Sequence, residues 1–221
     1  MLAALPQKSS RRFLSSLTAV ELSLGQVLCK QGTTSRYVYF PNDCTVSLLA
    51  VADRGSALEV GLVGAEGVVG IAAALGAPTS PLRAMVQGAG SAMRITASRF
   101  RRELERNRPL RREMDRCAHV AMATAMQVAV CNKQHVLEAR LARWLLMTRD
   151  RMASDEFRFT QQFIALMLGV RRTGVTIAAG ALQRGGLIRY RRGTMRILDR
   201  ERLRSASCSC YDVIRRLETT P

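Results

Sequence analysis

The stretch that most constrains this chain is Thr160–Gly186, TQQFIALMLGVRRTGVTIAAGALQRGG. Ile164, Ala165 and Leu168 recur at three-and-four spacing, which places them on one face of a helix. Gly169 and Val170 mark a turn. Val175, Ala178 and Leu182 form the matching stripe of a second helix. A small residue at a helix crossing, a glycine in the turn and an apolar stripe behind an exposed helix are what a helix-turn-helix requires. The second helix then shows Arg171, Arg172, Thr173 and Thr176 to solvent. These guanidinium and hydroxyl groups lie at the end that enters a major groove in this motif.

Charge points the same way. The 221 residues carry a formal net charge of +17, with a sequence pI near 11.1. A chain this basic is expected to meet a polyanion. Residues 135–221 hold 17 basic and 8 acidic side chains, against 8 and 5 in residues 1–97. The surplus therefore sits in the half that holds the motif. Nearly all of it is arginine, although a genome-wide codon bias would give the same count. Apolar residues make up 48% of the chain, enough for a packed core. No apolar run approaches the roughly 20 residues of a membrane span, and no apolar segment follows Arg11 and Arg12 as in a signal peptide. A cytoplasmic chain with no membrane partner is expected.

Residues 1 to about 20 read as a short helix or tether. From Leu24 to about Ile95, short runs of β-forming residues alternate with turn signals. The runs are Val38–Phe40, Val46–Val51, Leu58–Val63 and Met85-Val86. Pro41-Asn42-Asp43 and Asp53-Arg54-Gly55 are among the turns. This texture predicts a sandwich or barrel. Helical character starts at Ala97, and Pro109 suits a first helical position. Leu110–Gln134 contains no breaker. Met114, Cys117, Val120, Ala121, Thr124, Val128 and Cys131 form a stripe along it. The stripe suits a core helix or a helix pairing with its copy, and the second is the expectation. Val136–Met152 is a further helix. Phe157–Phe159 reads as a short strand, and Thr160 as a cap. Leu187–Tyr190 and Met195–Leu198 flank Arg191-Arg192-Gly193-Thr194 as a hairpin with a basic tip, so the motif is winged. Asp199 caps a last helix through Leu203.

The fold class is α+β: an N-terminal β-roll of the jelly-roll kind, a long dimerisation helix and a C-terminal winged helix-turn-helix. In this order they resemble the Crp/Fnr superfamily of bacterial transcription regulators. The most specific stretch is Leu168–Thr176, followed by Leu182, Gly186–Ile188, Arg192-Gly193 and Ile197–Asp199. Gly64–Gly70, GAEGVVG, resembles the glycine-bounded loop of cyclic-nucleotide-binding rolls. The resemblance implies a sensory roll over residues 1–97, a helical linker with the dimerisation helix over 98–134, and a DNA-binding domain over 135–221. It also implies a homodimer on a two-fold-symmetric operator, with RNA polymerase as a further partner.

Carried onto these positions, the guanine-reading arginine of the recognition helix falls on Arg172. The glutamate that commonly follows it is Thr173, and the arginine one turn later is Ile177. Thr160 takes the place of the phosphate-contacting hydroxyl, and Gln162 that of its amide partner. Arg171 replaces a small polar cap. Arg172 and Thr173 are expected at bases with Thr176 beside them, and Thr160, Gln162, Arg171, Arg191 and Arg192 at phosphates. In the roll, the effector pocket would draw on Glu66, Gly67, Gly70, Ile71 and Arg83. Ile71 stands where cyclic-AMP-binding members have a ribose-binding glutamate, and Arg83 falls one place late for the cyclic phosphate. Cyclic AMP is therefore not the expected effector, and the signal is left open. No cysteine precedes Cys29, so the iron–sulfur branch does not fit.

Two other readings stay beside this one: a signal-binding interaction module without sequence-specific DNA binding, and a cyclic-nucleotide-responsive activator. No G-x-S-x-G, phosphate loop or paired acidic motif suggests an enzyme. Cys131 and His135 are four apart and suit one helical face. Cys117 and His119 are two apart and diverge, so neither a metal nor a cofactor is expected, and cysteine reads as core filler. Cys208-Ser209-Cys210 is too short for an ordinary disulfide and reads as tail packing with Tyr211.

Overall fold

The computed structural model describes residues 1–2, 5–52 and 56–219, with residues 7–10 as main chain. The turn expected at Asp53-Arg54-Gly55 lies outside the described residues. Two compact units emerge: Met1–Val51 with Gly61–Met122, and Ala52–Val60 with Ala123–Pro221. Their boundary falls inside the long helix, so the segment expected as a linker is shared between them.

The first unit is the β-roll. After helix α1 (Gln7–Leu14), strands β1 (Thr18–Leu22), β3 (Tyr37–Pro41) and β7 (Gly90–Thr96) form an antiparallel sheet in the order β1-β7-β3. A second sheet runs β2-β6-β4-β5, from β2 (Val27–Cys29), β6 (Arg83–Gly88), β4 (Thr45–Val51) and β5 (Ala57–Val63). Strand β5 is divided between the two units. The runs seen in the sequence correspond to β3, β4, β5 and β6. Strands β1, β2 and β7 and the short helix α2 (Ile71–Ala74) were not separable from their surroundings by pattern.

Side chains alternate across β3 as a pleated strand requires. Val38 and Phe40 enter one core cluster with Phe13, Ile95 and Phe100, while Tyr39 enters a second with Val46, Val86 and Ala92. Phe13, Phe40 and Phe100 meet one another at ring-centroid separations of 5.7–6.2 Å. The strand is buried on both faces, which explains an apolar run without polar alternation.

Helix α3 (Ala97–Arg106) starts on Thr96, whose hydroxyl accepts the Arg99 N–H. Helix α4 spans Arg108–Gln134. Asn107 caps it by accepting the Leu110 N–H, so Pro109 is its second residue rather than its first. The stripe expected to meet a second copy faces the chain's own interior. Met114, Cys117, Thr124, Val128 and Cys131 are buried within one chain, and Val120 and Ala121 are half-buried. The large apolar residues that α4 leaves on the surface are Met122, Met126 and Val130, on the opposite side.

The second unit holds the winged motif. Helix α5 (Leu137–Met152) is buried on every side from Arg140 to Thr148, and ends at Ala153 in a left-handed conformation. Strand β8 (Glu156–Arg158) joins β9 (Ile188–Arg191) and β10 (Thr194–Ile197) in the order β8-β10-β9. Helices α6 (Gln161–Leu168) and α7 (Arg172–Arg184) make the motif. Helix α8 (Arg200–Ala206) is capped by Asp199 as expected, but it is not the last. Helix α9 (Cys210–Thr219) follows, anchored by buried Tyr211 and Ile214. Among the described residues, no single helix is long and apolar enough to cross a membrane.

Candidate nucleic-acid interface

Helices α6 and α7 meet at 103°, within the range of roughly 90–120° for helix-turn-helix pairs. The geometry follows from local chemistry. Thr160 opens α6 by accepting the Phe163 N–H at 3.1 Å. Gly169 closes it at φ 63°, a left-handed conformation that L side chains adopt only at a cost. Ile164, Ala165 and Leu168 of α6 are buried, as are Val175, Ala178 and Leu182 of α7. Rings of Phe157, Phe159 and Phe163 stack in sequence at 5.7 and 5.1 Å, and Trp144 packs on Phe159 at 5.4 Å. This ladder fixes the approach of α6 to the sheet. At Gly174 a Cβ would lie 2.9 Å from Leu137 Cδ2, so α7 runs close over the start of α5, but that leucine tip can rotate away and packing alone does not require the glycine.

What remains outward is a basic surface. Thr160, Gln162, Arg171, Arg172, Thr173, Thr176, Arg191 and Arg192 are all exposed. Arg171 sits at the N-cap position of α7 and makes no side-chain cap, so the first N–H groups of α7 and its positive dipole end share this surface. The wing turns through Arg192 at φ 51° and Gly193 at φ 80°. Two consecutive positive φ values between paired Arg191 and Thr194 make a tight turn of type I′, which matches strand twist. Among the described residues, Arg171, Arg172, Arg191 and Arg192 form no ion pair with a carboxylate. Four cations are thereby held without internal neutralisation.

Thr160, Gln161, Gln162, Arg172, Tyr190, Arg192 and Gly193 line one open concavity between the motif and the wing. Gln161 was missed by sequence reasoning. Its Oε1 accepts from Thr176 Oγ1 at 2.8 Å and from Arg172 Nε at 3.4 Å, tying both α7 side chains to the first turn of α6. Thr176 is thus partly engaged inside the motif, and also reaches the Arg172 carbonyl at 3.2 Å. Tyr190 was missed too. Its hydroxyl donates to the Phe159 carbonyl at 2.8 Å, and burial pushes its pKa up while the Arg172 charge opposes the shift. Arg189 and Arg196 pair across the wing and extend its basic face. The period-two alternation of the hairpin was the available signal for them.

In the roll, the residues expected around an effector are half-buried and are held by their own surroundings. Glu66 Oε1 accepts the Gly64 N–H at 3.0 Å, closing its own loop. A Cβ on Gly67 would lie 2.9 Å from Val63 Cγ1, and one on Gly70 would lie 3.2 Å from the Tyr37 carbonyl. The Tyr39–Val69 bridge pins this loop to β3. Ile71 packs against the cluster containing Val68 and Ala73. Arg83 opens β6, and its buried Nε has no hydrogen-bond partner.

Comparison with known proteins matches both regions. The family model of the cyclic nucleotide-binding domain covers residues 19–107, and that of the Crp-like helix-turn-helix domain covers residues 139–206. No curated protein matches the sequence. FixK2 from Bradyrhizobium japonicum superposes with a TM-score of 0.74 at 16% identity, over 87% of this chain and 98% of that one. The c-di-GMP responsive global regulator CLP of Xanthomonas campestris gives 0.73 at 16% identity, over 88% and 100%. A Crp/Fnr-family transcriptional regulator from Thermus thermophilus gives 0.67 at 21% identity, over 86% and 98%. At these identities the superpositions carry the fold alone. With both family models matched in this order along one chain, the protein belongs to the Crp/Fnr family of transcription regulators.

Proposed function

We propose that the protein binds a two-fold-symmetric DNA operator as a homodimer and responds through its roll to a signal other than cyclic AMP. The observation that carries this reading is the set of exposed, acid-free cations on the first turn of α7 and on the wing. Arg172 and Thr173 lie where base edges are read in this motif, and Arg172 is pre-oriented by Gln161. Arg171, Arg191, Arg192, Thr160 and Gln162 surround them as phosphate donors. Tyr190 keeps its proton at neutral pH and braces the wing against the start of α6.

The dimer is assigned to the exposed face of α4. Met122, Met126 and Val130 recur every four residues and are each more than half exposed. Large apolar side chains at this spacing favour pairing with a second helix. The signal is left unassigned. The ribose-contacting carboxylate of cyclic-AMP-binding members has no counterpart at Ile71, which is half-buried against the core, and Glu66 bonds within its own loop.

Footprinting on fragments upstream of the protein's own and neighbouring genes tests the reading. Two symmetric half-sites about one helical turn apart are expected. Met126→Glu should shift the protein to monomer in light scattering and weaken both half-sites together. Uniform, sequence-independent protection would leave the interaction module as the better account.

A further inference from the structure

Four side chains from distant parts of the sequence meet at the end of α4. They are Cys131 in its last turns and His135 just after it, and Cys208 just before α9 with Cys210 at its start. One ligand atom from each lies within 4.8 Å of every other. Cys131 Sγ and Cys208 Sγ are 3.4 Å apart, and Cys210 Sγ lies 3.6 Å from His135 Nδ1. A tetrahedron with metal–sulfur bonds of about 2.3 Å and metal–nitrogen bonds of about 2.0–2.1 Å spaces its sulfurs roughly 3.8 Å apart and sulfur from nitrogen roughly 3.5 Å, so small side-chain shifts would seat an ion. A disulfide would instead need sulfurs at about 2.05 Å. All four residues belong to the second unit.

The surroundings suit an anionic centre. Arg140 and Arg143 on α5 are buried, and neither pairs with a carboxylate among the described residues. Each has a buried Nε without a hydrogen-bond partner. Arg143 donates to the Met147 thioether, a weak acceptor, and its charge acts on both Cys131 and Cys208. Arg140 donates to the Leu168 carbonyl at 2.5 Å and acts electrostatically on the same two sulfurs. Buried cations without a counter-charge are costly. Three thiolates and a neutral imidazole around a divalent ion carry a net charge of −1, which would offset one of these two positive charges. Gln127 Nε2 also lies 3.1 Å from Cys210 Sγ, a donor suited to a metal-bound thiolate. Cys131, Cys208 and Cys210 are buried while His135 is half-buried, so the cage is closed around sulfur and open to solvent on one side.

We propose that Cys131, His135, Cys208 and Cys210 bind a single zinc ion that clamps the C-terminal helix to the end of α4. Closed four-ligand cages of cysteine and histidine are the usual form of a structural zinc site. Binding releases the thiol protons to solvent, and no redox step is involved. Sequence spacing hid the site because only the Cys131/His135 pair is local. Cys117 lies instead in the core of the first unit, and His119 is exposed.

The test uses the full-length protein, reduced, stripped with a chelator and titrated with cobalt(II). Thiolate–cobalt charge-transfer bands and tetrahedral d–d bands should saturate at one ion per chain and vanish when zinc is added. Cys208→Ser/Cys210→Ser should lose them, and Cys29→Ser/Cys44→Ser should keep them. Should the first variant fail to fold, His135→Gln, which changes the half-buried ligand, should shift the d–d bands and weaken zinc binding. Absent bands in a chain that is folded by circular dichroism would overturn the proposal. So would bands that survive Cys208→Ser/Cys210→Ser, or a Cys131–Cys208 disulfide that forms as readily with zinc as without it.

Discussion

The glycine-bounded loop of the roll and the winged motif treat their polar residues in opposite ways. In the loop, Glu66 turns back to the Gly64 N–H, and the half-buried Ile71 that follows packs against the core around Val68. In the winged motif, Arg171, Arg172, Arg191 and Arg192 stay exposed without a carboxylate, although the fold supplies other arginines with partners such as Asp150 and Asp212. An unsatisfied cation on a surface costs little until it meets an anion, whereas a carboxylate folded into its own loop is no longer free to grip a ligand in the same way. The contrast locates outward chemistry in the DNA-binding unit and gives the loop a structural task.

Three substitutions probe that contrast, in decreasing order of effect. Ile71→Glu would restore the carboxylate that cyclic-AMP-binding members carry, but would place it against apolar neighbours. A loss of about 2–3 kcal/mol in urea unfolding is expected, with no gain in cyclic AMP binding by calorimetry. Unchanged stability with new nucleotide binding would mean that the loop is a functional pocket after all. Gly169→Ala adds a Cβ at φ 63°, 2.9 Å from Leu58 Cδ1. The leucine tip can rotate away, so the left-handed backbone sets the cost at about 1–2 kcal/mol, read as a lower Tm. Thr160→Ala removes the hydroxyl that accepts the Phe163 N–H. It should cost about 1 kcal/mol of stability, and DNA affinity should fall further than that loss explains if the hydroxyl also meets a phosphate.

Much of this arrangement was legible in the sequence, for identifiable reasons. The two motif stripes, the glycine turn and the basic hairpin obey short-range periodicities that a single helix or strand imposes. The strands β3 to β6 declared themselves through β-branched runs between turns. Strand β2 has only three residues and a register shift, too little pattern to stand out. The stripe on α4 was visible, but its orientation was not: the same spacing serves a core helix and a dimer seam, and tertiary packing decides between them. Gln161 was hidden because its role depends on the 103° crossing rather than on neighbours in sequence. The Cys131, His135, Cys208 and Cys210 cluster was hidden for the same reason, since its halves are more than seventy positions apart.

The most direct test of the central claim measures duplex affinity against salt for the wild type, Arg172→Ala and Arg191→Ala, on an operator and on a scrambled sequence. Arg172→Ala should lose about 1–3 kcal/mol on the operator, roughly 5- to 150-fold, and much less on the scrambled duplex. Arg191→Ala should weaken both duplexes alike and lower the logarithmic salt slope by about one. Equal losses on both duplexes for both variants would contradict the assignment of α7 to base reading and the wing to phosphate.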